Sequence, residues 1–223
     1  MKKYIDIHTH RKENCENVFS LHNISPEDFI QLPNNEKNYF SAGIHPWYID
    51  STVEEKIKIL RQIASNPSIL AIGETGLDKL CPIDFNFQKE IFKHQISIAK
   101  EVKKPLIIHC VKAHNEVQQL LKETQPNVPI IFHGFRGKPQ LAKELIKAGF
   151  YLSFGSLFNK ESVEATSFNR IFLETDDKDV AIEEIYKSIA EAKGISVKKL
   201  IETVGENFER ALLASTDRWF KLS

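Results

Sequence analysis

The 223-residue chain has no net charge, because Lys and Arg total 30 and so do Asp and Glu. A protein that coats nucleic acid by bulk electrostatics needs excess cations, so that class is excluded, although a local basic rim is not. Cysteine is scarce: Cys15, Cys81 and Cys110 are an odd number without Cys-x-x-Cys spacing. Reduced thiols in a cytosol are the expectation. No apolar run is long enough to cross a bilayer. Nothing resembles a secretory leader, since Met1-Lys2-Lys3 runs straight into a segment bearing Asp6 and two histidines. There is no linker, repeat or low-complexity tract, and no Gly-x-Gly-x-x-Gly follows the first strand, as a doubly wound dinucleotide-binding sheet would require. These absences predict one cytoplasmic domain over residues 1–223, a monomer with no membrane association and no obligate protein partner.

What is present is alternation. Residues 4–10 read as a strand, with Ile5 and Ile7 on one face and Asp6, His8 and His10 on the other. Further strands are expected at 17–21, 39–43, 69–74, 106–109, 130–133, 150–154 and 170–176. Helical spacing occupies 52–64, 85–102, 114–123, 139–148, 160–165, 180–193, 197–204 and 207–213, and Ser25-Pro26 opens a short helix. Eight strands alternating with helices predict an α/β protein, a (β/α)8 TIM barrel. With 42% hydrophobic residues it can fill a substantial core.

Five of these strands end in side chains that bind metals: His8 and His10, Glu74, His109, His133, and Asp176. Parallel barrel strands bring their C-terminal ends to one rim, so residues distant in sequence are expected to converge there. The parity agrees, with Ile72 and Glu74 sharing a face, as do Ile107 and His109, Ile131 and His133, and Phe172, Glu174 and Asp176. Imidazoles mixed with carboxylates suit Zn²⁺, Mn²⁺ or Fe²⁺ better than Ca²⁺. Six ligands exceed the needs of one tetrahedral ion, so two ions sharing a carboxylate are expected.

Asp6-Ile7-His8-Thr9-His10, Gly43-Ile44-His45-Pro46, Gly73-Glu74-Thr75-Gly76-Leu77-Asp78, Ile108-His109-Cys110, His133-Gly134-Phe135-Arg136-Gly137 and Leu173-Glu174-Thr175-Asp176 together resemble the TatD family of metal-dependent deoxyribonucleases. Gln88 and Gln95 also match that family's spacing. The resemblance implies a barrel of the metallo-dependent hydrolase type holding one or two divalent ions (Zn, Mn or Mg). Its metal positions fall on His8, His10, Glu74, His109, His133 and Asp176, with Glu74 as the bridge. Three departures stand out. Val111-Lys112 replaces the usual Arg two residues after the fifth-strand His, Gly134 replaces a frequent Cys, and Asp177-Lys178 follows Glu-Thr-Asp in place of a small residue and Pro.

The expected activity is hydrolysis of phosphodiester bonds in nucleic acid by a metal-activated water. Glu74, Asp176 and His45 are the catalytic candidates, with Asp176 taking the water's proton. His45 is also a candidate for touching substrate, and Lys112 and Arg136 for holding phosphate. Asp78 is expected to orient a ligand imidazole. Cys110 should pack away from the site, and His22, His94 and His114 should be surface or packing residues. Trp219 and Phe220 should pack on the wall or fray. The alternatives are an ester or amide hydrolase, such as an enzyme that removes a mis-attached amino acid from tRNA, and a metal-binding scaffold without turnover.

Overall fold

The computed structural model describes residues 4–11, 15–33 and 38–213. Apolar runs rich in β-branched and aromatic residues form the strands, and amphipathic runs form the helices. The chain opens with β1 (Tyr4–Thr9), β2 (Val18–Ile24), α1 (Pro26–Phe29), β3 (Tyr39–Ala42) and α2 (Val53–Ile63). It continues with β4 (Ile69–Asp78), α3 (Phe85–Val102), β5 (Leu106–Val111), α4 (His114–Thr124), β6 (Ile130–Phe132) and α5 (Pro139–Lys147). It closes with β7 (Tyr151–Phe154), α6 (Lys160–Ala165), β8 (Ile171–Leu173), α7 (Ile182–Lys193) and α8 (Val197–Phe208). The strands follow chain order from β1 to β8. The β1–β2, β3–β4, β4–β5, β6–β7 and β7–β8 pairs are parallel. This is the (β/α)8 barrel class that the alternation predicts. Among the described residues no helix is long and apolar enough to cross a membrane.

Two compact units are distinguishable, Met1–His22 with Ile130–Ser223, and Asn23–Pro129. In the first, the buried Tyr186 hydroxyl of α7 donates to the Ile5 carbonyl at 3.1 Å and accepts from the Ile5 amide at 3.2 Å. A side chain thereby satisfies strand groups that would otherwise be buried without partners. The Asn207 amide of α8 does the same for the carbonyls of Phe168 (2.8 Å) and Ile171 (2.9 Å). Beyond β8 the backbone changes neighbour. Glu174 still donates its amide to Phe154, while Asp176 donates to the His8 carbonyl and receives the His10 amide, each at 3.0 Å. That exchange sets Asp176 beside the end of β1.

In the second unit β4 is buried along its whole length. Its Gly76 is paired with His109 of β5. A Cβ on Gly76 would lie 2.0 Å from the His109 carbonyl oxygen, and its φ of +145° suits glycine alone, so this close approach requires it. Helix α3 packs Ile91, Phe92, Ile96 and Ala99 inward and buries Gln88 and Gln95 with them.

Several boundaries differ from the sequence reading. Strand β4 runs on to Asp78, because its later residues pair with β5. Strands β1, β6 and β8 stop at Thr9, Phe132 and Leu173, so His10, His133 and Asp176 lie just past strand ends. The break expected near Gly205 is absent. Glycine costs a helix only about 1 kcal/mol, and buried Thr203, Val204, Asn207 and Phe208 continue one face through it. A π turn, Glu209–Leu213, then follows. Trp219 and Phe220 lie outside the described residues.

Candidate functional site

In the first unit, strand alternation turns His8 inward, where it is fully buried, while His10, past the end of β1, is more open. Both Nε2 atoms aim at one oxygen, Oδ1 of Asp176, at 3.7 Å and 3.6 Å. These separations are too long for hydrogen bonds. They suit donors gathered around one ion with bonds of about 2.0–2.2 Å. Asp176 holds a φ of +55°, an uncommon conformation for a non-glycine residue that its bridge to Thr9 maintains.

His133 belongs to the same unit, with its ring 4.4 Å from that of His8. Its Nδ1 meets Oε1 of Glu174 at 3.3 Å, and the same oxygen accepts the Gly134 amide at 2.6 Å. Glu174 is fully buried. Burial pushes its carboxyl upward, yet the charge and hydrogen bond of His133 and the charge of His8 outweigh it and hold the group below its ordinary range. Glu174 therefore fixes the tautomer of His133 and directs Nε2 away from itself. Asp6, behind them, accepts the Thr175 amide at 3.0 Å and its hydroxyl at 2.6 Å, and so ties β1 to the segment bearing Asp176.

In the second unit His45, Glu74 and His109 come together. His109 stands between carboxylates, with Nδ1 2.9 Å from Glu74 Oε1 and Nε2 3.2 Å from Asp78 Oδ2. A neutral imidazole has only one N–H, so one of these contacts sets a lone pair against a carboxylate. A cation between them, either a second proton or a metal ion, removes the repulsion. His45 differs. Its Nδ1 accepts the Trp47 amide at 3.2 Å, so its proton sits on Nε2, which faces Glu74 Oε1 at 3.4 Å. Its hydrogen bonds make His45 a donor rather than a metal ligand.

Buried amides fix the loops that carry these groups. Gln95 accepts from the Ile44 amide at 2.7 Å and donates to the Ile44 carbonyl at 3.0 Å, which locks the residue before His45. Gln88 accepts the Asp78 amide at 3.0 Å. Asn23 accepts the Glu74 amide at 2.7 Å. The Trp47 indole N–H donates to Asp78 Oδ2 at 2.6 Å.

The donor chemistry, imidazoles mixed with carboxylates, fits a divalent ion. His8, His10 and Asp176 are one group of donors lying within 4.8 Å of one another, and His133, Glu174 and Asp176 are another. Glu74 and His109 supply an anionic and a neutral donor in the second unit. Of the sequence candidates, His8, His10, His133 and Asp176 gather in the first unit, and His45, Glu74, Asp78 and His109 in the second. Lys112 and Arg136 are exposed near the residues of each cluster in sequence. Cys110 is partly buried, and burial pushes its thiol up to about 12, which disfavours the thiolate. His22 is buried against the Arg11 carbonyl, His94 is exposed, and His114 is partly buried at the start of α4. The residues overlooked from sequence are Glu174, Asn23 and Trp47. Parity placed Glu174 beside Asp176, but nothing local marks an asparagine or a tryptophan that acts across a loop.

Comparison with known proteins agrees with this chemistry. A family model described as TatD related DNase matches residues 5–213. A Bacillus subtilis protein named as the uncharacterized metal-dependent hydrolase YabD is 32% identical over 196 residues, which cover 77% of this chain and 76% of that one. An uncharacterized metal-dependent hydrolase of Buchnera aphidicola is 33% identical over 184 residues, covering 77% and 69%. The crystal structure of Escherichia coli YJJV, a TatD homologue, aligns with a TM-score of 0.84 at 18% identity over 95% of this chain and 98% of that one, a likeness of fold. The family match spans the chain from β1 to the π turn and takes in both clusters, and the chain belongs to the TatD-related DNase family of metal-dependent hydrolases.

Proposed function

We propose that the chain is a metal-dependent phosphodiesterase acting on DNA. The observation that carries this reading is that imidazoles and carboxylates gather at strand ends, His8, His10 and Asp176 with donor atoms within 4.8 Å of one another and His109 2.9 Å from Glu74. A divalent ion (Zn²⁺, Mn²⁺ or Mg²⁺) would supply a Lewis acid that makes water more acidic and offsets charge on phosphoryl oxygens. His8, His10, His133 and Asp176 would hold it in one unit, and Glu74 with His109 in the other. Asp176, partly exposed beside the two imidazoles, takes the attacking water's proton. His45 offers its Nε2 proton to a phosphate oxygen or to the leaving group. Glu174 and Asp78 keep His133 and His109 oriented. Lys112 and Arg136 attract the phosphate backbone. The unpaired cysteines suit a reducing cytosol.

The test strips the protein with EDTA, restores Mg²⁺, Mn²⁺ or Zn²⁺, and assays single-stranded DNA, nicked duplex and aminoacyl-tRNA side by side. DNA cleavage that returns only with metal is the expected result. Deacylation of tRNA without DNA cleavage would move the reaction to a carbonyl ester. Turnover of none of these substrates would leave the metal-binding scaffold.

A further inference from the structure

We infer that Trp47, with Leu80 and Tyr48 around it, is a stacking platform for a nucleobase of single-stranded DNA beside the His45–Glu74–His109 cluster. This inference rests on the phosphodiesterase reading for its substrate class. Three large apolar side chains are open in this part of the second unit: Trp47 at 49%, Tyr48 at 68% and Leu80 at 59% exposure. Single exposed aromatics are ordinary. These three are tied to the site. Asp78, which holds His109, accepts the Trp47 indole N–H on one oxygen at 2.6 Å and the Leu80 amide on the other at 2.7 Å. The Cys81 thiol donates to the Pro46 carbonyl at 3.4 Å, joining the two segments again. Tyr48 leans its ring 5.5 Å from that of His45.

The hydrogen bond decides what the platform can recognise. The only polar atom of the indole is already used by Asp78, so the ring offers solvent its π face and edges. Such a surface stacks on any base and reads no base edge. The same bond and the turn at Pro46 hold the ring in place, so little side-chain freedom remains to be lost on binding. The segment next to Leu80 also pairs with one that leads into a cation. Lys79 donates its amide to the Val111 carbonyl at 3.1 Å, and the next residue, Lys112, is exposed. An apolar ring face and an exposed lysine are the two parts that a single-stranded nucleic-acid site needs.

The chain has two tryptophans, so Trp219→Phe leaves Trp47 as the sole indole reporter. With EDTA present to prevent cleavage, oligothymidylate should quench its fluorescence saturably. An abasic oligomer of the same length and charge should quench little and bind more weakly. Trp47→Ala should weaken oligothymidylate binding roughly tenfold, within the range for loss of one stacked base. Trp47→Phe keeps a ring without the N–H, and should retain most of the binding even if the bond to Asp78 matters for metal uptake. Equal binding of thymidylate and abasic oligomers, or quenching that follows protein concentration without DNA, would overturn the platform; the second result would assign the patch to a second copy of the chain. Equal cleavage of base-bearing and abasic oligomers would sink the platform and leave the phosphodiesterase intact. Stacking without metal-dependent cleavage would do the reverse.

Discussion

The Nδ1 atom of His109 lies 2.9 Å from Oε1 of Glu74, and the same carboxylate oxygen lies 3.4 Å from Nε2 of His45. Two imidazoles thus converge on one buried oxygen through different ring nitrogens. Nδ1 of His45 is capped by a backbone amide, which leaves its proton on Nε2. His109 has a carboxylate at each nitrogen and needs a cation to settle both. One histidine is thereby suited to donating a proton and the other to holding an ion.

Glu74→Gln keeps the side-chain shape but removes the charge that both imidazoles face. The fold should survive, since the surrounding strand is packed by Leu70, Ile72 and Leu77. Bound metal should fall and hydrolysis should drop on the order of a hundredfold. Circular dichroism, metal stoichiometry and rate measured on one sample check this. Full activity at full metal content would remove Glu74 from the site.

Glu174 acts through His133 and should separate orientation from stability. Glu174→Gln still presents an oxygen to the Gly134 amide but loses the charge beside His133. Metal affinity should fall roughly ten- to hundredfold, with little change in melting temperature. Glu174→Ala also strips the acceptor from that amide, and should cost a further 1–3 kcal/mol or so of stability. Metal titration and thermal denaturation distinguish the two variants.

Lys112 and Arg136 are exposed cations on opposite sides of the sequence division. If each meets a phosphate, replacing either with Ala should raise KM for an oligonucleotide and reduce its log–log salt slope by about one unit. Metal content should not change. A variant whose salt dependence matches the unmodified protein carries only a solvated surface charge at that position.

The cysteines should differ sharply towards alkylating reagents. Cys15 is exposed, Cys81 is buried, and burial holds the Cys110 thiol up at about 12. At pH 8 almost no Cys110 thiolate forms, because the group loses its proton only as the pH rises towards that value. Iodoacetamide should label Cys15 quickly and the other two only after denaturation. Mass spectrometry of the digest reads this directly. Rapid labelling of Cys110 in the folded protein would show that the end of β5 opens.

Sequence alone determined the alternation of strands and helices, because a two-residue period and a 3.6-residue period are written locally. Helix α3 falls on residues 85–102, and the Ser25 cap precedes α1, as composition and capping residues require. The metal-competent residues were also legible, since each stands at or just past the end of an apolar run. Tertiary structure decided their roles. Whether His45 accepts or donates depends on the direction of the Trp47 amide, and whether Glu174 binds or orients depends on its meeting His133 and Gly134 from 40 or so residues away in sequence. Asn23 reaches the Glu74 amide, and Gln95 the Ile44 backbone, across similar separations. Periodicity reports the face a residue occupies. A hydrogen bond between loops depends on three-dimensional approach, which no local pattern encodes.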